Sequence, residues 1–142
     1  MIDVLPIFLR IAGAGLILLA FLHIPIGRQL GWREDGKKLQ AANEAIFHVH
    51  TFFICLLLVI MGLPCLLEPT IFLTPTRAGA WISWSFAGFW TLRLYFQHFV
   101  YPASLWRGKR LETILHGVFT LIWIALSALF TACGALQAGW LD

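Results

Sequence analysis

The chain has 142 residues, of which 60% are hydrophobic and only 12% charged, and its mean hydropathy is +0.83. In a soluble globular domain, about a quarter of the residues are charged. This composition therefore excludes that class and indicates a chain embedded in a lipid bilayer. The net charge of +3 is small and falls mainly in loops. It therefore indicates membrane topology and argues against nucleic-acid binding.

Four apolar segments are long enough to cross a bilayer, which takes about 20 residues per helix. We predict helices over about residues 4–24, 43–67, 80–101 and 111–138. Pro25 with Gly27 is expected to end the first helix, and Pro102 to stop the third. The sequence thus predicts an all-α fold: one domain over residues 1–142, an up-down antiparallel bundle of four transmembrane helices with short loops.

The loops give the orientation of this bundle. The first and third loops together hold seven Lys and Arg, whereas the opposite face has only Arg10 and Arg77. The positive-inside rule then places loops one and three in the cytoplasm and both termini on the non-cytoplasmic side. We expect an integral, multi-pass protein of a bacterial inner (plasma) membrane.

All five histidines adjoin the two basic loops, so the predicted topology puts them in one layer at the cytoplasmic face. They are His23, His48, His50, His98 and His116. A single histidine at this depth often only snorkels to the headgroups. Because ionisable side chains in a membrane segment are costly, however, five in one layer favour a functional site.

A Glu-x-x-x-His pattern occurs twice at these helix ends, as Glu44 with His48 and as Glu112 with His116. Residues four apart share a helix face, so each pair can offer a carboxylate and an imidazole together. His50 lies about 200° further round the helix than His48. The two cannot both face one neighbour, and the sequence leaves open which of them faces the site.

Imidazole and carboxylate ligands in a helical bundle are typical of transition-metal sites. The sequence therefore predicts iron, copper or zinc bound by the five histidines, with Glu44 and Glu112 as ligands or acid–base groups. Two histidines from different helices could instead ligate a b-type haem. Their position at helix ends, not deep within the helices, makes haem the second choice.

A polar stripe runs along the third predicted helix, where Trp90, Arg93, Gln97 and Tyr101 recur at spacings of three or four. Arg93 lies more than a turn inside the helix, where an unpaired guanidinium is expensive. Glu44 or Glu112 is its expected partner, and snorkelling to the headgroups is the alternative. The functional interpretation is that Arg93, with Gln97 and Tyr101, binds an anionic or polar part of a substrate.

The fourth predicted helix presents a mildly polar face, on which Thr120 lies one turn from His116, close enough to touch a bound ligand. Ser127 and Thr131 further along this face are typical of close helix packing. The cysteines Cys55, Cys65 and Cys133 lie in apolar runs without a C-x-x-C spacing and are expected to be small buried hydrophobes.

These patterns predict a metal-dependent membrane oxidoreductase acting on a lipophilic small molecule, with Glu44, Glu112 and Arg93 as its catalytic groups. A bis-histidine haem b protein for electron transfer is the first alternative. A small proton or ion transporter or channel is the second, and it would require a homo-oligomer because four helices barely enclose a pore. The expected partners are the lipid bilayer and the substrate.

Overall fold

The computed structural model describes residues 4–141; residues 1–3 and 142, where the predicted non-cytoplasmic termini fall, lie outside this range. The described chain is helical and contains no strand. Its helices are α1 (Leu5–Gln29), α2 (Trp32–Gly36), α3 (Ala41–Leu67), α4 (Thr70–Leu73), α5 (Arg77–Tyr95) and α6 (Arg110–Gln137). A π-helical segment (Phe96–Val100) continues α5, and a 3-10 turn (Ala103–Leu105) follows it.

Three of these helices, α1, α3 and α6, are long and apolar enough to cross a membrane. Most of their surface is apolar and exposed, as expected for helices that face lipid rather than water. The third predicted span corresponds to α5, which is not apolar enough to count among them. Its tryptophan, glycine and serine residues and Arg93 lower its mean hydropathy.

The chain divides into two compact units. The N-terminal hairpin (Ile7–Pro69) contains nearly all of α1, together with α2 and α3. The C-terminal hairpin (residues 70–141, with residues 4–6) contains α4, α5, the π segment and α6.

The first helix is longer than its proline suggests. The prediction that Pro25 and Gly27 end it is wrong, since α1 continues through both residues to Gln29. Proline removes one backbone donor, but membrane helices often accommodate this loss. Pro102 behaves as predicted, because the helical path that begins in α5 ends one residue before it, at the extended Tyr101.

In the N-terminal hairpin, α1 and α3 approach most closely at two glycines. A Cβ atom added at Gly13 would lie 2.6 Å from the carbonyl oxygen of Gly62, and one added at Gly62 would lie 2.8 Å from that of Gly13. Only residues without a side chain permit this backbone contact. Leu16 and Cys65 pack beside it, and both are buried.

The C-terminal hairpin is held instead by large side chains and one amide. Phe72, Phe86 and Phe130 form a ring cluster with centroids 5.1–5.7 Å apart. At the same end, the Gln137 amide donates to the hydroxyl of buried Ser83 and to the carbonyl of Ile71. Residues near the start of α5, such as Ser83, contact residues near the end of α6, such as Gln137, so the two helices are antiparallel.

Candidate functional site

The π segment positions two side chains of the candidate site at the end of α5. Its wider turn is closed by a hydrogen bond from the Tyr101 N–H to the Phe96 carbonyl, five residues back. Gln97 and His98 are consecutive, yet both reach α6 here: Gln97 contacts His116, and His98 contacts Thr120. Single π turns of this kind are frequent at functional sites.

Three side chains form a hydrogen-bonded relay within the C-terminal hairpin. The Arg93 guanidinium donates through Nη1 to Oε1 of Gln97 at 3.3 Å. The Nε2 atom of Gln97 lies 2.9 Å from Nδ1 of His116. Gln97 is only 6% exposed, so its amide orientation is determined by these two neighbours.

This relay selects one tautomer of His116. Arg93 can only donate, so the oxygen of the Gln97 amide must face it and the amide nitrogen must face His116. An amide nitrogen also only donates, which makes Nδ1 of His116 an acceptor and leaves the proton of the neutral ring on Nε2. In this arrangement His116 offers a hydrogen-bond donor, whereas a metal ligand would offer a lone pair.

His98 and Trp106 complete the surroundings of His116. The His98 and His116 rings meet edge to face with centroids 5.4 Å apart, and Trp106 stacks on His116 at 3.9 Å. The Thr120 hydroxyl donates to the His116 carbonyl at 2.8 Å, so in its 3.4 Å contact with His98 it accepts.

Arg93 has spare hydrogen-bonding capacity. Tyr101 and Trp123 lie against its guanidinium, with ring centroids 5.5 and 5.2 Å from Cζ, in cation–π contact. Glu112, the one acidic residue among the described residues of this hairpin, forms no ion pair with Arg93. The expected Arg93–Glu112 pair is therefore not formed, and four of the five guanidinium N–H groups have no hydrogen-bond partner among residues 70–141.

Further hydrogen-bond donors lie next to this cluster, on α5 and α6. Trp90 and Trp123 stack at 4.9 Å and are almost fully buried. Their indole N–H groups and the Ser127 hydroxyl have no hydrogen-bond partner among the described residues. Buried polar groups without partners are costly, so this part of the C-terminal hairpin is suited to a hydrogen-bond acceptor.

The N-terminal hairpin holds its histidines differently. Nδ1 of His23 lies 2.7 Å from the Leu19 carbonyl, and Nδ1 of His50 lies 2.9 Å from the Ile46 carbonyl. A carbonyl only accepts, so both rings carry their proton on Nδ1 and present a lone pair at Nε2. This is the form in which histidine binds metals.

His48 and Glu44 are the other predicted pair of the N-terminal hairpin. Nε2 of His48 lies 3.9 Å from the Glu44 carboxylate, which is a loose ion-pair distance, and half of the His48 side chain is exposed. Trp32 on α2 packs edge-on against His23 and Phe47, with centroids 6.2 and 6.4 Å away. This hairpin therefore places an aromatic side chain beside one of its histidines.

The structure thus brings together part of the predicted site. Arg93, Gln97, Tyr101, Thr120, His98 and His116 meet within the C-terminal hairpin. Glu112 does not join them through an ion pair. Among residues 4–141, no three His, Cys, Asp or Glu side chains converge as a metal-binding group. The predicted metal ligation of all five histidines remains a prediction.

Sequence reasoning missed two features of this cluster. Trp106, which stacks on His116, gives only the signal of a single tryptophan in a basic loop. Thr113 helps to position it by donating to the Trp106 carbonyl at 2.7 Å. The π segment gives no clear sequence signal, since its five residues are apolar or polar in no distinctive order.

In comparisons with known proteins, no family model, curated protein or solved structure matches this chain.

Proposed function

We propose that this chain is a multi-pass membrane protein that binds a lipophilic molecule with an anionic head, and that it acts on this molecule as a metal-dependent oxidoreductase. The head binds at Arg93, with His116 and Tyr101 alongside. The observation that supports binding of an anionic head is the environment of the Arg93 guanidinium. Its cation is oriented by Gln97 and two aromatic rings, and among the described residues of its hairpin it has free donors and no carboxylate partner.

The geometry of arginine explains the preference for an anion. A guanidinium presents its N–H groups in a planar fork that matches carboxylate or phosphate oxygens two at a time. In a membrane, the molecule would enter from the leaflet, with its apolar part remaining in contact with lipid.

The test measures equilibrium binding of a long-chain carboxylic acid to the purified protein in nanodiscs, with the matching long-chain alcohol as reference. We expect the wild type to bind the acid more tightly, and Arg93→Leu to weaken acid binding by at least about tenfold, because charge-assisted hydrogen bonds are lost. Arg93→Lys should recover only part of the affinity. Arg10→Leu is the matched control, since it removes an exposed helix arginine from the N-terminal hairpin. Equal acid affinity in Arg93→Leu and wild type would overturn the proposal.

The metal in this proposal is iron, copper or zinc, and the histidine tautomers favour the N-terminal hairpin as its main source of ligands. His23 and His50 present Nε2 lone pairs, and Glu44 and His48 lie on the same helix as His50. Elemental analysis and an absorption spectrum of one detergent-purified sample test this part. We expect stoichiometric metal that falls sharply in His23→Ala. A Soret band would replace this part with the haem b alternative, and absence of both metal and haem after metal-supplemented expression would favour the transporter or channel.

We further propose that α5 and the π segment together form a fourth transmembrane crossing, with the termini on the non-cytoplasmic side of a bacterial inner membrane. The two charged loops, around residues 28–38 and 107–110, support this orientation. Single cysteines introduced at Lys38 and Arg107 in a cysteine-free background should both be protected from an impermeant thiol reagent in intact cells. Labelling of either one would overturn the topology.

A further inference from the structure

The chain between the π segment and the first residue of α6 carries a concentrated positive charge. Arg107, Lys109 and Arg110 lie within four consecutive positions, and all three are exposed. We call residues 106–110 the cationic loop. None of its three cations forms an ion pair with an acidic side chain among the described residues, and Glu112, the next acidic residue along the chain, forms none either. The charge of this loop is therefore not neutralised by the described part of the chain.

The charged loop of the N-terminal hairpin is compensated to a greater extent. Lys37 donates to Glu34 at 2.9 Å, and Lys38 donates to Asp35 at 2.7 Å. Two of the four basic side chains in residues 28–38 are paired in this way. Exposed ion pairs add little stability, but each pair cancels most of its own charge at a distance. The three adjacent cations of the cationic loop have no such compensation, so they are available to an external anion.

The backbone of the cationic loop is held in place at both of its ends. Trp106 stacks on His116 with ring centroids 3.9 Å apart. The Thr113 hydroxyl lies 2.7 Å from the Trp106 carbonyl and 2.8 Å from the Lys109 carbonyl, and it can donate to either. Between these points the chain turns at Gly108, whose φ of 80° favours glycine. A loop ordered in advance loses less conformational entropy when it binds a ligand.

The surroundings of the cationic loop favour a lipid as the source of the anion. The helix α6 begins at Arg110 and is long and apolar enough to cross a membrane, which places the loop near the surface of that membrane. Leu105 and Leu111, on either side of the loop, are 49% and 46% exposed. Acyl chains would cover these side chains, whereas a soluble acidic partner would leave them in water. Lipid phosphates lie at the level of the loop, and guanidinium groups bind phosphate oxygens two at a time.

We infer that the cationic loop binds the phosphate groups of anionic phospholipids. Arg107 and Arg110 provide planar guanidinium forks, and Lys109 provides a compact ammonium group. Trp106 holds the loop in place through its ring stacking. The inference requires that α6 crosses a bilayer. It does not depend on the anion site at Arg93 or on which face of the membrane is cytoplasmic.

The test uses the full chain in phosphatidylcholine nanodiscs, with a fluorophore on Ser104→Cys in a cysteine-free background. Ser104 is exposed and lies two residues before Trp106. The probe is phosphatidylglycerol with a nitroxide near the top of its acyl chain, which quenches the fluorophore only at short range. Phosphatidylcholine with the same nitroxide is the reference. We expect phosphatidylglycerol to reach half-maximal quenching at a mole fraction at least about fivefold lower, the effect of roughly one basic residue near an anionic lipid.

The decisive variant removes the charge of the loop. Arg107→Gln, Lys109→Gln and Arg110→Gln together should make the two lipids quench equally, because glutamine keeps a polar side chain without the charge. Each single replacement should remove part of the preference and serves as the test if circular dichroism shows that the triple variant folds poorly. The matched control is Glu34→Gln with Lys37→Gln, which removes an exposed ion pair from the N-terminal hairpin without changing the net charge. It should leave the preference unchanged.

Two further measurements identify the place and the source of the anion. With the fluorophore on Thr74→Cys, an exposed position before α5 in the same hairpin, the two lipids should quench equally. The same preference at Thr74 as at Ser104 would show general enrichment of the lipid and overturn the inference. Inorganic phosphate, compared with chloride at matched ionic strength, should not reduce the preference at Ser104. Loss of the preference in phosphate would assign the cations to free phosphate and overturn the lipid site.

Equal quenching by the two lipids beside the wild-type loop would also overturn the inference, as would an unchanged preference in the triple variant. Neither result concerns the binding of a long-chain acid at Arg93. Failure of this inference and failure of the proposed function are therefore distinguishable.

Discussion

The two hairpins use the same side chain in opposite chemical forms. In the N-terminal hairpin, His23 and His50 donate from Nδ1 to backbone carbonyls of their own helices and present a lone pair. In the C-terminal hairpin, His116 accepts at Nδ1 from Gln97 and presents an N–H group. The former arrangement suits a metal and the latter suits an anion or carbonyl. In each hairpin, the hydrogen-bond partner of Nδ1 determines whether Nε2 presents a lone pair or an N–H group.

The Glu-x-x-x-His repeat shows the same difference. Glu44 lies 3.9 Å from His48, but Glu112 forms no ion pair with His116, whose Nδ1 is bonded to Gln97 instead. The spacing places carboxylate and imidazole on one helix face without deciding whether they interact. Whether they interact depends on the neighbouring segment, which here offers Gln97 as the hydrogen-bond partner of His116.

The largest expected difference between the hairpins concerns their stability. Gly13→Val should destabilise the N-terminal hairpin by about 3 kcal/mol, because the added side chain collides with the backbone of α3, which cannot easily move. Thermal unfolding in detergent, followed by circular dichroism, measures this effect. Gly15→Val is the control and should unfold as the wild type does. Equal midpoints for the two variants would mean that the close crossing of α1 and α3 is not required.

The next effect tests the tautomer of His116. In Gln97→Glu, both carboxylate oxygens accept, so His116 should transfer its proton to Nδ1 and present a lone pair at Nε2. Imidazole ¹⁵N shifts, assigned with His116→Ala, should show this exchange, and acid binding should weaken by roughly tenfold because the new carboxylate competes for Arg93. Gln97→Met is the control that removes the bond without imposing the other tautomer. An unchanged ¹⁵N pattern in Gln97→Glu would refute the relay.

A second effect on stability is expected at the opposite end of the C-terminal hairpin. Gln137→Leu leaves the fully buried Ser83 hydroxyl and the Ile71 carbonyl without their amide donor. The expected loss of stability is about 1–3 kcal/mol, the usual cost of an unsatisfied buried polar group. The double variant Gln137→Leu with Ser83→Ala should recover part of it. No recovery would indicate that the loss comes from packing.

The smallest effect concerns the exposed loop of the N-terminal hairpin. The hydrogen bond from Lys37, followed by its charge, lowers the pKa of the Glu34 carboxyl. A lowered pKa contributes stability above the ordinary pKa of glutamate and loses it as the pH falls through the lowered value. Lys37→Gln should return the Glu34 pKa towards its ordinary range in an NMR titration, with Lys38→Gln changing it less. The reverse order would contradict the assignment.

Part of this architecture follows directly from the sequence. Composition and the long apolar runs predict the helices α1, α3 and α6, and the three-and-four spacing places Arg93, Gln97 and Tyr101 on one face. The end of α1 was not predictable from Pro25, because a single missing hydrogen bond is too weak a signal in a membrane helix. The stacking of Trp106 on His116 depends on the path of a loop, which hydropathy does not encode.

The π segment also determines how the cluster of Arg93, Gln97, His98 and His116 can be transferred to another scaffold. On a straight α-helix Gln97 and His98 would lie about 100° apart around the axis, whereas the wider π turn brings consecutive residues closer to one face. A designer grafting this cluster has to carry the five residues Phe96–Val100 as one backbone unit. Deleting any one of them would change the phase of every residue that follows.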